Sequence, residues 1–244
     1  MIGKFPKVGP RVYGAPLSPF AGVYTWWANI NNATFSNSGG TNYVDTIPLT
    51  GISDSFVQPT AAERPIYLAT GLNGNATMQV VSGSPRRIYK ATDASIFQGG
   101  GTFAFVHYLT GGLTYFTEVT ANATLYNFQI LIASGNIRFY TDANGGQNLV
   151  SSASLVNTWT VHHFTISGTT LKYYQNGVLV ATKTVTQNMN TARPLTAFNY
   201  KTLNAEQGFG QFGDIVAFTG TALNDTQIAN DYTNFWKVKY PSLP

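Results

Sequence analysis

Residues Trp159 to Val180 read Trp-Thr-Val-His-His-Phe-Thr-Ile-Ser-Gly-Thr-Thr-Leu-Lys-Tyr-Tyr-Gln-Asn-Gly-Val-Leu-Val. Side chains of an extended chain alternate between faces. Trp159, Val161, His163 and Thr165 therefore share one face, and Thr160, His162, Phe164 and Ile166 share the other. Ser167-Gly168 turns the chain, and Leu171 to Gln175 forms a second strand. Asn176-Gly177 suits a two-residue type I′ hairpin, whose two central residues both need positive φ. Val178 to Val185 is the third strand. Three strands joined by tight turns make an antiparallel meander, which sets the fold class as all-β.

The same pattern extends outward on both sides. Thr102 to Leu109 alternates Phe103, Phe105, His107 and Leu109 with Thr102, Ala104, Val106 and Tyr108; Gly111-Gly112 then turns the chain into Leu113 to Val119. Leu125–Ala133, Asn136–Thr141, Leu195–Tyr200 and Phe209–Phe218 complete a series with many turns about eight to twelve residues apart, as in a sandwich. Upstream, Tyr24 to Ala28 opens the globular part as its first strand. Asn29 to Gly40 reads as a loop because it is rich in Asn, Ser and Gly. Val57 to Leu72 reads as an irregular connection, since Pro59 and Pro65 oppose a central strand. Thr77–Val81 and Arg87–Ala91 are short strands. Asn224 is an N-cap with Gln227 three residues on, followed by Ile228, Tyr232, Phe235 and Trp236 at helical spacing, so one helix closes the chain before Pro241. Before residue 24, Pro6, Pro10, Pro16 and Pro19 favour an extended arm over a helix. The expected organisation is an N-terminal arm over residues 1–23 and one β-sandwich domain over residues 24–244.

Composition narrows the class of surface. Of the 244 residues, 43% are hydrophobic and 14% aromatic, enough for a two-layer core, while only 10% are charged. Ordinary domains carry about 25% charge. The exterior is therefore built mainly of Thr, Asn, Ser, Gln and Gly, a neutral hydrogen-bonding surface with weak self-repulsion. A net charge of +4 spread over this length, with Arg86-Arg87 and Lys90 as its main cluster, argues against nucleic acid as a partner. There is no cysteine, so disulfides and thiolate metal sites are absent. No apolar run is long enough for a signal peptide or a membrane span.

Three segments carry a family resemblance. Trp159 to Val180 resembles the core hairpin of laminin-G-like, concanavalin A-like domains. Gly213-Asp-Ile-Val-Ala-Phe218 followed by Ala222-Leu-Asn-Asp225 resembles their last core strand and closing helix. Gln58-Pro-Thr-Ala-Ala-Glu-Arg-Pro-Ile-Tyr67 with Gly71-Leu-Asn-Gly74 is similar to a segment of single-domain lectin-like proteins common in bacteriophage and environmental bacterial sequences. The resemblance implies an antiparallel two-sheet jelly roll. It also makes glycan binding, calcium and glycoside hydrolysis the chemistries to test.

Glycosidases need two carboxylates, about 5 Å apart for retention or about 6.5 to 9.5 Å for inversion. Glucanases of the resembled family place theirs on one strand as Glu-x-Asp-x-x-Glu. Glu63, Glu118 and Glu206 are dispersed and none has an acidic neighbour at i+2, so no enzyme is expected and no catalytic residue is named. Adjacent His162 and His163 face opposite ways, and His107 stands alone, so no zinc site is expected. For calcium, Asp142-Ala-Asn-Gly-Gly146 is the most suitable loop, but the favoured reading of it is a plain Asn-Gly turn between strands. Gly208-Phe-Gly-Gln-Phe-Gly213 has dinucleotide-motif spacing, but a strand follows it where phosphate binding requires a helix. No cofactor is expected. Lectins stack aromatic rings on pyranose faces beside Asn and Gln side chains, which makes Trp26, Trp27, Tyr173, Tyr174 and Asn176 the candidate glycan residues.

The expected role is a non-enzymatic bacteriophage virion component, either capsid decoration or part of a tail or fibre. It rests on the missing export segment, the low charge and the resemblance. Phe5, Val8, Tyr13, Leu17 and Phe20 of the arm would contact neighbouring subunits. Partners would be a major capsid or tail protein, further copies of the chain, and surface glycans, without membrane insertion. The chain would be made in the host cytoplasm and reside in the virion. The alternative is a carbohydrate-binding module for host adhesion, with a glycan-active enzyme behind it.

Overall fold

A computed structural model of the chain describes residue 19 and residues 24–81, 86–93, 95–112, 114–119, 126–133, 136–141, 156–185, 189, 191–198 and 208–244. Arm residues Phe5, Val8, Tyr13, Leu17 and Phe20, and loop 142–146, lie outside this set. The described strands pair antiparallel and the body is two-layered, as the sequence predicts.

The meander forms β12 (Trp159–Ser167), β13 (Thr170–Gln175) and β14 (Val178–Thr184). Asn176 at φ 51° and Gly177 at φ 78° make the expected positive-φ turn. The Asn176 side chain also works at long range, since its Oδ1 accepts the Val161 backbone N–H at 2.9 Å. β8 (Gly101–Gly112) pairs with β12 through Val106 opposite Val161 and Phe103 opposite Phe164. On its far side β8 pairs with β16 (Gly208–Thr219), which completes the layer's centre.

The opposing layer contains β9 (Thr114–Val119), β10 (Tyr126–Ala133), β11 (Asn136–Tyr140) and β15 (Leu195–Ala197). Alternation decides what lies between the layers. Phe103, Phe105, Phe164 and Tyr173 from one layer meet Phe116, Phe128 and Phe139 from the other, all essentially inaccessible to solvent. Phe103 meets Phe116 edge-on with centroids 5.0 Å apart, an arrangement favoured by the ring quadrupole.

The intervening residues of the same strands form a second core. Ala104 and Val106 of β8, Val161 of β12 and Val216 and Phe218 of β16 pack beneath a C-terminal helical segment. That segment comprises α1 (Asp225–Asp231), a π-helical turn over Tyr232–Trp236, and α2 (Lys237–Lys239). It contributes Ile228, Tyr232, Phe235 and Trp236 to this core. The Asn224 cap is reciprocal: its Oδ1 accepts from Gln227 N, and Gln227 Oε1 accepts from Asn224 N, each at 2.9 Å.

Two stretches depart from the sequence reading. Asn29 to Gly40 is not a loop throughout, because Thr34–Ser38 forms β2, a hairpin with β3 (Thr41–Thr50). Its Thr-Phe-Ser-Asn-Ser sequence is mostly exposed and so lacks the apolar alternation that marks half-buried strands. The connection after Val57 holds a 3₁₀ turn at Ala61–Glu63 and a short strand β5 (Ile66–Leu68) directly after Pro65. β1 (Trp26–Ala28) bridges β16 and β3, joining strands from the two ends of the sequence. Among the described residues no helix is long and apolar enough to cross a membrane.

Candidate binding groove

The sequence-predicted aromatic platforms are structural. Trp26, Trp27, Tyr173 and Tyr174 are 3%, 8%, 0% and 1% exposed, so none offers a ring face to a sugar. Trp26 and Trp27 do point opposite ways, but both faces of β1 are covered: Trp26 joins the inter-layer core and Trp27 the helix-side core. Trp27 Nε1 donates to Asp214 at 2.9 Å. The Tyr174 hydroxyl donates to Asp225 at 2.7 Å, and burial with that carboxylate beside it pushes its pKa up. Asn176 is fixed on Val161.

The carboxylates are equally engaged. Asp45 pairs with Arg64 at 2.6 Å, and Glu63 grips Arg87 through both oxygens at 2.7 and 2.9 Å. Asp54 holds Lys90; burial pushes its pKa up, but bonds from Lys90, Thr92 and the Ser55 amide outweigh that and hold it low. Asp214 takes Trp27, the Ile30 amide and Lys239. Asp225 takes Lys172 at 2.6 Å and Tyr174, which hold its pKa down. Asp231 receives Trp236 Nε1 at 2.7 Å and lies 3.0 Å from His163 Nε2. Among the acids whose side chains are described, Asp93 is exposed and has no such role. Among the described residues these arrangements leave no pair of free acids facing across a cleft, and no group of three His, Asp or Glu is placed to hold a metal. Glu206 and the proposed calcium loop 142–146 fall outside the described residues.

The histidines divide as alternation requires. His163 faces the helix, stacking edge-on to Trp236. His107 and His162 face the inter-layer core with ring centroids 4.6 Å apart, and His162 Nδ1 lies 2.9 Å from the Tyr173 hydroxyl. Burial pushes the His107 pKa down to about 3. Burial, then repulsion from His107 and His163, holds His162 well below its ordinary value. Both are core imidazoles kept neutral.

Two surface depressions are lined by described residues. The smaller, about 180 Å³, lies between the β12–β13 turn and the start of α1, with Thr165, Ser167, Thr170, Lys172 and Asn224 in its walls. Its one cation, Lys172, is neutralised by Asp225. The larger, about 220 Å³, is bounded by Ser36 and Ser38 of β2, Tyr43 of β3, Ala61 and Ala62 of the 3₁₀ turn, and Arg86. Here the Arg86 guanidinium carbon sits 4.9 Å from the Tyr43 ring centroid, a cation–π stack. Arg64 braces the wall, donating to Ser36 Oγ at 2.9 Å while Ser36 Oγ donates to Asp45 at 3.0 Å. The Gln58–Tyr67 segment, one of the three resemblance segments, thus forms one side of this groove. Arg86 was legible in the sequence only as part of a basic cluster; its placement over Tyr43 depends on three separate segments meeting.

The layered antiparallel strands agree with the sequence comparison. A model of the concanavalin A-like lectin/glucanases superfamily, Laminin_G_3, matches residues 88–229. The chain belongs to this superfamily. Comparison by sequence with curated proteins gives no match. Among solved structures, this concanavalin A-like domain is similar to the binding domain of Paraclostridial Mosquitocidal Protein 1, with TM-score 0.58 and 12% identity over 83% of this chain and 52% of that one. The botulinum neurotoxin serotype D binding domain gives TM-score 0.57 and 13% identity over 84% and 51%. The botulinum neurotoxin DC binding domain, solved with rat synaptotagmin II, gives 0.54 and 14% over 84% and 52%. The chain spans about half the length of these structures, and at such identities the likeness is one of fold.

Proposed function

We propose that this concanavalin A-like domain is a non-enzymatic recognition module that binds saccharide in the groove of Ser36, Ser38, Tyr43, Ala61, Ala62 and Arg86. The observation that carries the reading is a contrast. The carboxylates named above, Asp93 apart, are tied to structural partners, whereas this groove is lined by the half-buried Tyr43, the exposed Ser38 and the half-buried Arg86, which no described carboxylate neutralises. Such a set gives directional hydrogen bonds around a small apolar contact, as sugar recognition requires, without supplying an acid and a base. Similarly folded domains support a binding role: one botulinum neurotoxin DC binding domain was solved in complex with rat synaptotagmin II and another in complex with SialylT. Ligand-observed NMR of the full chain against a saccharide panel tests the reading. Saturation transfer to a glycan, lost in Tyr43→Ala, is expected. Turnover of that glycan, or no transfer to any saccharide, would sink it.

A second reading is favoured by a different observation. β14 pairs only with β13 among the described residues, and Val178, Leu179 and Val180 on it are 67%, 41% and 38% exposed. An apolar open edge suits packing against another protein. It supports the role of a bacteriophage structural component, in capsid or tail, that carries the groove outward as an adhesin. Mass spectrometry of purified particles should then find the chain in stoichiometric amount; finding it only in the soluble lysate would dismiss this setting.

A further inference from the structure

We infer that the groove selects an anionic saccharide, one bearing a carboxylate, and that Arg86 is the residue that reads the charge. The inference rests on the saccharide reading above and narrows its ligand class. Three guanidinium groups converge on this flank, and only two carboxylates answer them: Arg64 belongs to Asp45 and Arg87 to Glu63. Arg86 has no carboxylate within 4.0 Å among the described residues. Of its five N–H donors, one reaches the Arg64 carbonyl oxygen. Its Nε is buried without a hydrogen-bond partner. Burial shuts that Nε–H off from a ligand as it does from water, so an incoming carboxylate would be met from the Nη side of the fork.

The local frame is suited to that ligand. Tyr43 holds the guanidinium plane from one side, which fixes the fork in place and lowers the ordering needed on binding. A carboxylate accepts two parallel N–H bonds from such a fork, a charge-assisted contact that a neutral sugar cannot make. Ser38 and Tyr43 then offer hydroxyls to the ring substituents of the same sugar. The smaller cleft lacks this feature, because its cation is already paired.

The experiment compares sialyllactose, a glucuronate-terminated disaccharide, a sulfated disaccharide and lactose by calorimetry on the full chain. Arg86→Gln and Lys183→Gln serve as variants, the latter removing the same charge from exposed β14. The carboxylate sugars should bind at least about tenfold more tightly than lactose. Arg86→Gln should erase that margin at an unchanged melting temperature, and Lys183→Gln should keep it. Equal affinity for lactose and the carboxylate sugars overturns the charge selection while leaving saccharide binding intact. A preference for the sulfated sugar over both carboxylates overturns the choice of anion. Undiminished margin in Arg86→Gln removes Arg86 from the role, and no binding of any of the four removes the saccharide reading with it.

Discussion

Gly177 meets two demands at one position. Its φ of 78° lies where side chains are strained, and a Cβ there would sit 2.8 Å from Tyr232 Cβ on the helical segment. Gly177→Ala is therefore expected to cost about 1–3 kcal/mol, read as a lower urea midpoint at unchanged slope; an unshifted midpoint would show that the hairpin tip yields freely. The buried imidazoles of His107 and His162 give a second expectation. Both are neutral in the fold, while in the unfolded chain a histidine takes a proton near pH 6.5. Below that pH the unfolded state binds protons that the folded state refuses, so stability falls as pH falls. The slope is up to about 1.4 kcal/mol per unit per histidine, and for His107 it continues toward its folded pKa of about 3. The rings around them are Phe105, Phe212 and Tyr173, with the His163–Asp231 pair on the opposite face of β12. Melting curves at pH 7.5 and 5.0 should separate clearly, and His162→Phe should narrow the gap. Superimposable curves would mean that one of the rings is charged inside the protein.

At the level of elements, what the sequence disclosed tracks burial. β8, β12, β13 and β16 were legible because their alternating residues meet two different cores. The α1 cap was legible because Asn224 and Gln227 act on each other at short range. β2 was not, since its exposure removes the apolar signal, nor was the pairing of β1 between β16 and β3, which buries both tryptophans. The groove was illegible for the same reason that most sites are: its residues come from β2, β3, a 3₁₀ turn and the segment just before β7 (Ile88–Lys90). Asp214 joins three elements that lie far apart in sequence, bonding Trp27 and Ile30 at and just after β1 and Lys239 of α2 from its place on β16. Asp214→Asn leaves the Lys239 cation buried with its carboxylate gone, which is expected to cost about 3–5 kcal/mol in thermal or chemical unfolding. A loss below about 1 kcal/mol would show that Asn29, which also accepts from Lys239, suffices. Asn224→Ala should cost about 1 kcal/mol by the same measurement.

For the whole molecule, the central layer is shared. β8, β12 and β16 supply one face to the inter-layer core and the other to the helix-side core, so neither core can open without exposing the strands of the other. Fluorescence from Trp26 alone and from Trp236 alone, each isolated by Trp→Phe changes elsewhere, should report coincident unfolding midpoints. Midpoints separated by more than the error would show the helical segment melting off first. The shared layer also has a consequence for synthesis. Trp27 and its partner Asp214 are 187 residues apart in sequence. A ribosome adding about 5–20 residues per second needs roughly 10–40 s to cover that interval. During that time β1 and β3 wait on the nascent chain without their closing strand, so this domain should depend on chaperones or on slow, cool expression to reach its native state.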